Sequence, residues 1–222
     1  MTAGHLMRAI TRNRVVVAVG VVLAVCVGAS IVVPAPTPQQ TAAIDLSLTA
    51  LHKNDGESRL IDAGEGVEDS GGIPRFGTLV QNLRIDAVFG NPDLDFGPSI
   101  IAPEKGVALL NSGDHILVGP IFSASIEKGI PFYDTIAPDT IGYDAFAIGI
   151  HEFDFTPDTF ADFVEGFEDE VPFLSANLDY SDEPRLQALA DAGIVIERTA
   201  IDLEGTNERI GVVGATTSAL PS

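Results

Sequence analysis

Cysteine is almost missing: Cys26 is the single one in 222 residues. That excludes an internal disulfide framework and any zinc site built on thiolates. Positive charge is scarce as well. Twelve lysines and arginines face 32 aspartates and glutamates, for a formal net charge of −20. Such a surface repels nucleic acid and anionic lipid, which excludes a phosphate-backbone binder, and it requires cations wherever an anionic substrate is held. Histidine is limited to four residues, and none follows His151. No internal repeat is present. The length suits one domain of ordinary size with an appendage.

The appendage is N-terminal. Arg8, Arg12 and Arg14 precede an unbroken apolar run from Val15 to Val33, closed by Pro34-Ala35-Pro36-Thr37-Pro38. A basic flank, an apolar segment and a Pro-rich exit describe a signal peptide or an uncleaved signal anchor, here residues 1–43. The run approaches the roughly 20 residues needed to span a bilayer. Export is therefore expected, with the arginines left inside, and the segment as the route to a membrane if it is retained.

The domain proper, residues 44–222, alternates strands with helices. Leu46 to Leu51 reads as a strand. Gly71-Gly72-Ile73-Pro74 opens a helix with Phe76, Leu79, Val80 and Leu83 on one face. Asp86 to Lys105 reads as loop. A second strand follows from Val107 to Ser112. The stretch around Pro131-Phe132-Tyr133-Asp134 is partly helical, with Pro138 expected to interrupt any helix. A third strand begins at Ala145. Thr156-Pro157-Asp158 starts a helix that buries Phe160, Phe163, Val164 and Phe167. Phe173 to Asn177 reads as a fourth strand, Pro184 to Ala192 as a helix, and Ile194–Leu203 with Ile210–Ala215 as a hairpin. The class is α/β.

Three of these strands end in the same way, with glycine beside polar groups. Asp55-Gly56-Glu57 follows the first, Gly113-Asp114-His115 the second, and Gly149-Ile150-His151-Glu152-Phe153-Asp154 the third. Carboxylates at strand ends can converge on a hard cation, and the carboxyl ends of buried strands are where α/β enzymes present chemistry. The alternative is a set of solvated turns with an inert, hydrogen-bonded His151. His52, on the first strand, reads as packed, and Arg75 as a helix-surface residue.

In this order the motifs resemble the 5′-nucleotidase branch of the calcineurin-like metallophosphoesterases. That family has Asp-x-His, Gly-Asp and Gly-Asn-His-Glu-Phe-Asp after its first three strands. Supporting matches are Leu51-His52-Lys53-Asn54-Asp55, Gly71-Gly72-Ile73-Pro74-Arg75-Phe76 and Phe173-Leu174-Ser175-Ala176-Asn177-Leu178. The resemblance covers about Leu46 to Thr217. It implies part of an α/β/β/α metallophosphatase sandwich and the hydrolysis of nucleotide or other phosphomonoesters with two divalent ions, from among Mn, Mg, Zn and Ca. It also implies roles: Asp114 as the bridging metal ligand, Asp55 and Glu57 as ligands of the first ion, and His151 as the group stabilising charge on the phosphoryl. Asp154 would orient the His151 ring, and His115 is a further substrate-binding candidate.

Two departures weigh against full activity. Ile150 stands where the family places a metal-binding asparagine, and its side chain has no donor atom. The later histidines that complete both metal shells have no counterpart, so at most one ion is expected to be well held. Three readings follow: an exported phosphoester hydrolase, weak or inactive as this chain and lacking a C-terminal portion; a remnant that binds one cation or a phosphorylated ligand; or an acidic membrane-tethered interaction module. A half-built sandwich also leaves an edge open to a second chain.

Overall fold

The computed structural model describes residues 46–67, 70–89, 104–169, 171–203 and 206–218. The expected export segment lies outside the described residues. Five strands form one parallel sheet in the order β1 (Leu46–Lys53), β2 (Glu104–Asn111), β3 (Ala145–Ala147), β4 (Phe173–Leu174) and β5 (Val195–Ile196). The helices between them are α1 (Ile73–Phe89), α2 (Pro120–Lys128), α3 (Tyr133–Ile141), α4 (Pro157–Glu165) and α5 (Pro184–Asp191). An antiparallel hairpin, β6 (Arg198–Asp202) and β7 (Arg209–Val213), follows.

Strand alternation explains how the sheet is covered. Leu51, Leu109, Phe146, Phe173 and Val195 share a core with Val80 of α1, Phe160 and Phe163 of α4 and Leu186 of α5. Their chain neighbours Ala145 and Leu174, with Leu110 and Ile196 at the margin, meet Ile201, Ile210 and Val212 of the hairpin instead. Helices thus cover one face and a hairpin the other. The helix-side core is dense in aromatic rings, with Phe146 stacked on Phe173 at 5.0 Å and Phe163 edge-on to Phe173 at 5.9 Å, geometries that add to area burial.

Several expectations hold. Thr156 caps α4, its Oγ1 accepting from the Thr159 N–H at 3.0 Å, with Pro157 in the first turn. Four others are corrected. Helix α1 runs on to Phe89 and β2 begins at Glu104, so both ends of the expected loop are structured. Val195–Ile196 joins the main sheet as its fifth strand rather than serving as a hairpin arm. His52 is exposed rather than packed, because it faces the hairpin side, where β1 lies beyond the residues the hairpin covers.

The fourth correction concerns Pro138, which lies inside α3 and does not interrupt it. Proline removes the N–H that would bond the carbonyl four residues back, that of Asp134. The imidazole of His115 bonds that carbonyl instead, Nε2 to O at 3.1 Å. The loop after β2 therefore supplies the donor that the helix lacks.

Candidate functional site

The carboxyl ends of β1, β2 and β3 lie side by side, so the three polar clusters share one rim of the sheet. Asp114 joins them. Its backbone carbonyl accepts from the Glu57 N–H at 3.0 Å. Its carboxylate Oδ1 accepts from the N–H groups of Ile150, at 2.8 Å, and His151, at 3.0 Å. One residue thus ties the loop after β1 to the loop after β3.

The glycines permit this approach. A Cβ on Gly149 would overlap both the Asp114 backbone nitrogen and Asp114 Oδ1. Gly113 has φ +98°, and a Cβ there would lie 2.8 Å from the Gly149 Cα. Only the absence of side chains lets the two loops touch.

Glu152 locks the junction from beneath. It is buried, and its Oε2 accepts from the Gly149 N–H at 2.7 Å and the Asp114 N–H at 3.1 Å. Its Oε1 accepts from the His115 N–H at 2.7 Å. Burial pushes its carboxyl up to about 7, against the pull of these three amides. The sequence marks Glu152 only as one polar group among several. Its signal is an acid directly after the glycine turn, in the chain position of a tight 3-10 turn, His151–Phe153.

His151 is partly exposed at the rim, and its Nδ1 pairs with Asp154 Oδ2 at 2.8 Å. Partial burial lowers its proton affinity, but the hydrogen bond and charge of Asp154, with Asp114 and Glu152 behind, raise it above the ordinary histidine value overall. The other ring nitrogen is left for a ligand. Asp55 and Glu57 stand at positive φ, 51° and 47°, a conformation uncommon outside glycine. Asp55 Oδ2 accepts from the Asn54 amide at 2.7 Å, and Glu57 faces the Arg59 guanidinium at 3.6 Å.

His115 turns inward. Its ring is buried, stacked on Phe163 at 5.6 Å, with Nδ1 bonded to the Asn111 amide at 2.8 Å. Burial and the nearby Lys53 charge push it down to about 3, so it is neutral, with the proton on Nε2 facing the Asp134 carbonyl. That placement gives it a packing role. Beneath the rim, Lys53 lies over the Phe76 ring at 5.4 Å, its proton affinity lowered by burial while the charge of Asp134 opposes. Sequence reading passed over both Lys53 and Asp134.

A last clamp holds the far end of the rim. Thr216 Oγ1 donates to the Ile148 carbonyl at 2.6 Å, and Asn177 bonds the Thr216 backbone through both its side-chain atoms, at 2.8 Å each.

The described residues thus form an α/β sheet with its polar loops gathered at one strand-end rim, around an aspartate in a Gly-Asp turn and a histidine paired with a carboxylate. The comparisons with known proteins specify it further. No protein-family model matches the chain. A probable 5′-nucleotidase of Treponema pallidum is 29% identical over 205 residues, which is 89% of this chain and 29% of that protein. A 5′-nucleotidase of Diplobatis ommata is 31% identical over 194 residues, 81% of this chain and 27% of that protein. The crystal structure of a 5′-nucleotidase precursor from Thermus thermophilus superposes with a TM-score of 0.55 at 27% identity, covering 77% of this chain and 28% of that one. The chain is thus similar in sequence to one part of these 5′-nucleotidases and similar in fold to the 5′-nucleotidase precursor. It spans under a third of the length of these relatives.

The family implies divalent ions, and the residues described here do not fit a pair of them. Asp114 Oδ1 is already committed to two amides. Glu152 is turned inward to three more. Ile150 offers only its backbone. Among the described residues, no three histidine, cysteine, aspartate or glutamate side chains converge as a metal requires.

Proposed function

We propose that the chain carries the phosphate-facing rim of an exported phosphoester hydrolase of the 5′-nucleotidase type, whose substrates are nucleotide monoesters, and that this polypeptide alone turns them over slowly or not at all. One observation supports the assignment: Asp114 is hydrogen-bonded at once to the loop of Glu57 and to the backbone of His151, at the carboxyl ends of three adjacent parallel strands. In this reading His151, its charged form favoured and its ring held by Asp154, neutralises charge on the phosphoryl group. The apolar run from Val15 to Val33 supports export.

The deficit of metal ligands favours a second reading, in which the domain retains a phosphorylated ligand or a single cation without hydrolysing anything. One experiment addresses both. Amide NMR spectra of the 222-residue protein are followed through titrations with AMP and, separately, with Mn²⁺. Shifts centred on residues 55–57, 113–115 and 149–154 are expected with AMP, and only weak Mn²⁺ broadening there. Shifts confined to other regions would refute the site assignment. Hydrolysis of AMP during the titration would dismiss the non-catalytic reading.

A further inference from the structure

The hairpin delivers one residue to the rim from far along the chain. Its turn lies at the amino end of the sheet, where Leu203 sits against Gly106 and the Asn207 N–H donates to Glu104 Oε2 at 3.3 Å. Strand β7 therefore runs back toward the carboxyl ends of the parallel strands. Past its end the Gly214 carbonyl accepts from the Ala176 N–H at 3.0 Å, and a Cβ on Gly214 would overlap the Leu174 backbone. The missing side chain lets this segment cross the end of β4 and set Thr216 beside the end of β3.

There the Thr216 hydroxyl donates to the Ile148 carbonyl at 2.6 Å. That carbonyl shares one peptide plane with the Gly149 N–H, which donates to Glu152 Oε2 at 2.7 Å. A peptide unit is rigid and planar, so bonds on its two opposite edges fix its orientation. The next two amides, of Ile150 and His151, meet Asp114 Oδ1. Rotation of the plane would carry both of them, and the His151 ring, away from that carboxylate.

Thr216 is itself held. A carbonyl only accepts, so the hydroxyl proton points at Ile148, and in the 2.9 Å contact with Ser175 the serine is the donor. Asn177 accepts from the Thr216 N–H and donates to the Thr216 carbonyl. Ser175 and Thr216 are buried, so solvent does not stand in for a lost bond.

We propose that Thr216 is a positioning residue for the rim: with Glu152 it sets the Ile148–Gly149 peptide plane, and through that plane the place of His151. This rests on the reading of the rim as a phosphate-facing site. It makes that site depend on a hydroxyl 68 residues beyond the carbonyl it holds.

The test follows amide NMR spectra and AMP affinity in the full 222-residue protein. Thr216→Val replaces the hydroxyl with a methyl group of similar shape. It should shift the amides of Gly149, Ile150 and His151 before AMP is added, and weaken AMP binding about tenfold. Thr216→Ser keeps the hydroxyl and should restore both. Thr206→Val removes a hydroxyl that donates to the Leu203 carbonyl at the opposite end of the hairpin, and should leave AMP binding unchanged. Asn177→Ala, at an exposed position, loosens the Thr216 backbone and should weaken AMP binding in the same direction, which decides the matter if Thr216→Val does not fold. AMP binding unchanged in Thr216→Val, or in Asn177→Ala where that variant decides, would overturn the proposal and leave the rim reading intact. So would equal weakening by Thr206→Val, or no recovery in Thr216→Ser. Absence of AMP-induced shifts at residues 149–154 in the parent would overturn the rim reading and the proposal with it.

Discussion

His115→Phe isolates the bond that lets Pro138 sit within a helix. Phenylalanine keeps the ring that packs 5.6 Å from both Phe146 and Phe163, so little packing is lost. It removes both ring nitrogens. The Asp134 carbonyl then has no partner, because Pro138 cannot supply one, and the Asn111 amide loses its acceptor. A buried polar group without a partner costs about 1–3 kcal/mol. Two such groups give about 4 kcal/mol, a large fraction of the roughly 5–15 kcal/mol by which domains are stable. Adding Pro138→Ala to His115→Phe restores an N–H aimed at the Asp134 carbonyl and should recover about 2 kcal/mol. Urea unfolding followed by circular dichroism at neutral pH measures both, provided the dependence on urea is unchanged. A loss below about 1 kcal/mol for His115→Phe would refute the reasoning. Equally damaging would be a double variant no more stable than the single one.

Further consequences follow from the same geometry. Glu152→Leu strips the acceptor from three amides and should cost about 3 kcal/mol or more, with hydrogen-exchange protection lost first at Gly149, Asp114 and His115. Gly149→Ala drives a methyl group into Asp114 and to 2.8 Å from Glu152 Oε2, and should destabilise by about 1–3 kcal/mol with altered chemical shifts at His151. Thr156→Ala should cost about 1 kcal/mol by uncapping α4, measurable by thermal unfolding. Burial holds the Asp134 carboxyl above its ordinary value, so its protonated form contributes stability in acid that is lost as pH rises through the raised folded value. Asp134→Asn should accordingly flatten the stability profile over that range, and an unchanged slope would show that Asp134 does not titrate there. Ile150→Asn alone should not restore turnover of AMP, because among the described residues no three metal-ligating side chains converge at the rim.

Much of the scaffold was legible because it rests on local patterns. Alternating apolar residues marked β1, the run from Val107 marked β2, and the Thr156-Pro157 pair marked the start of α4. The order of Asp55, Asp114 and His151 along the chain placed all three at one rim, since parallel strands bring successive carboxyl ends together. What escaped depends on long-range partners. Pro138 looks like a helix breaker until His115, from another element, bonds the orphaned carbonyl. Glu152 looks like a surface acid until the fold brings three amides around it. Lys53 carried no reading beyond its place in a motif match, yet it lies over Phe76 with Asp134 near enough to bias its charge. His52 followed the pattern of a packed strand residue, but whether its face is covered depends on the reach of a hairpin some 150 residues later in the chain.

The central proposal is that the rim faces a phosphoester, while among the described residues no three metal-ligating side chains converge there. Steady-state hydrolysis of AMP by the purified 222-residue protein, with and without Mn²⁺, tests it most directly. Little or no release of phosphate is expected in either condition, with no stimulation by the metal. Brisk Mn²⁺-dependent release, abolished by Asp114→Asn, would contradict it.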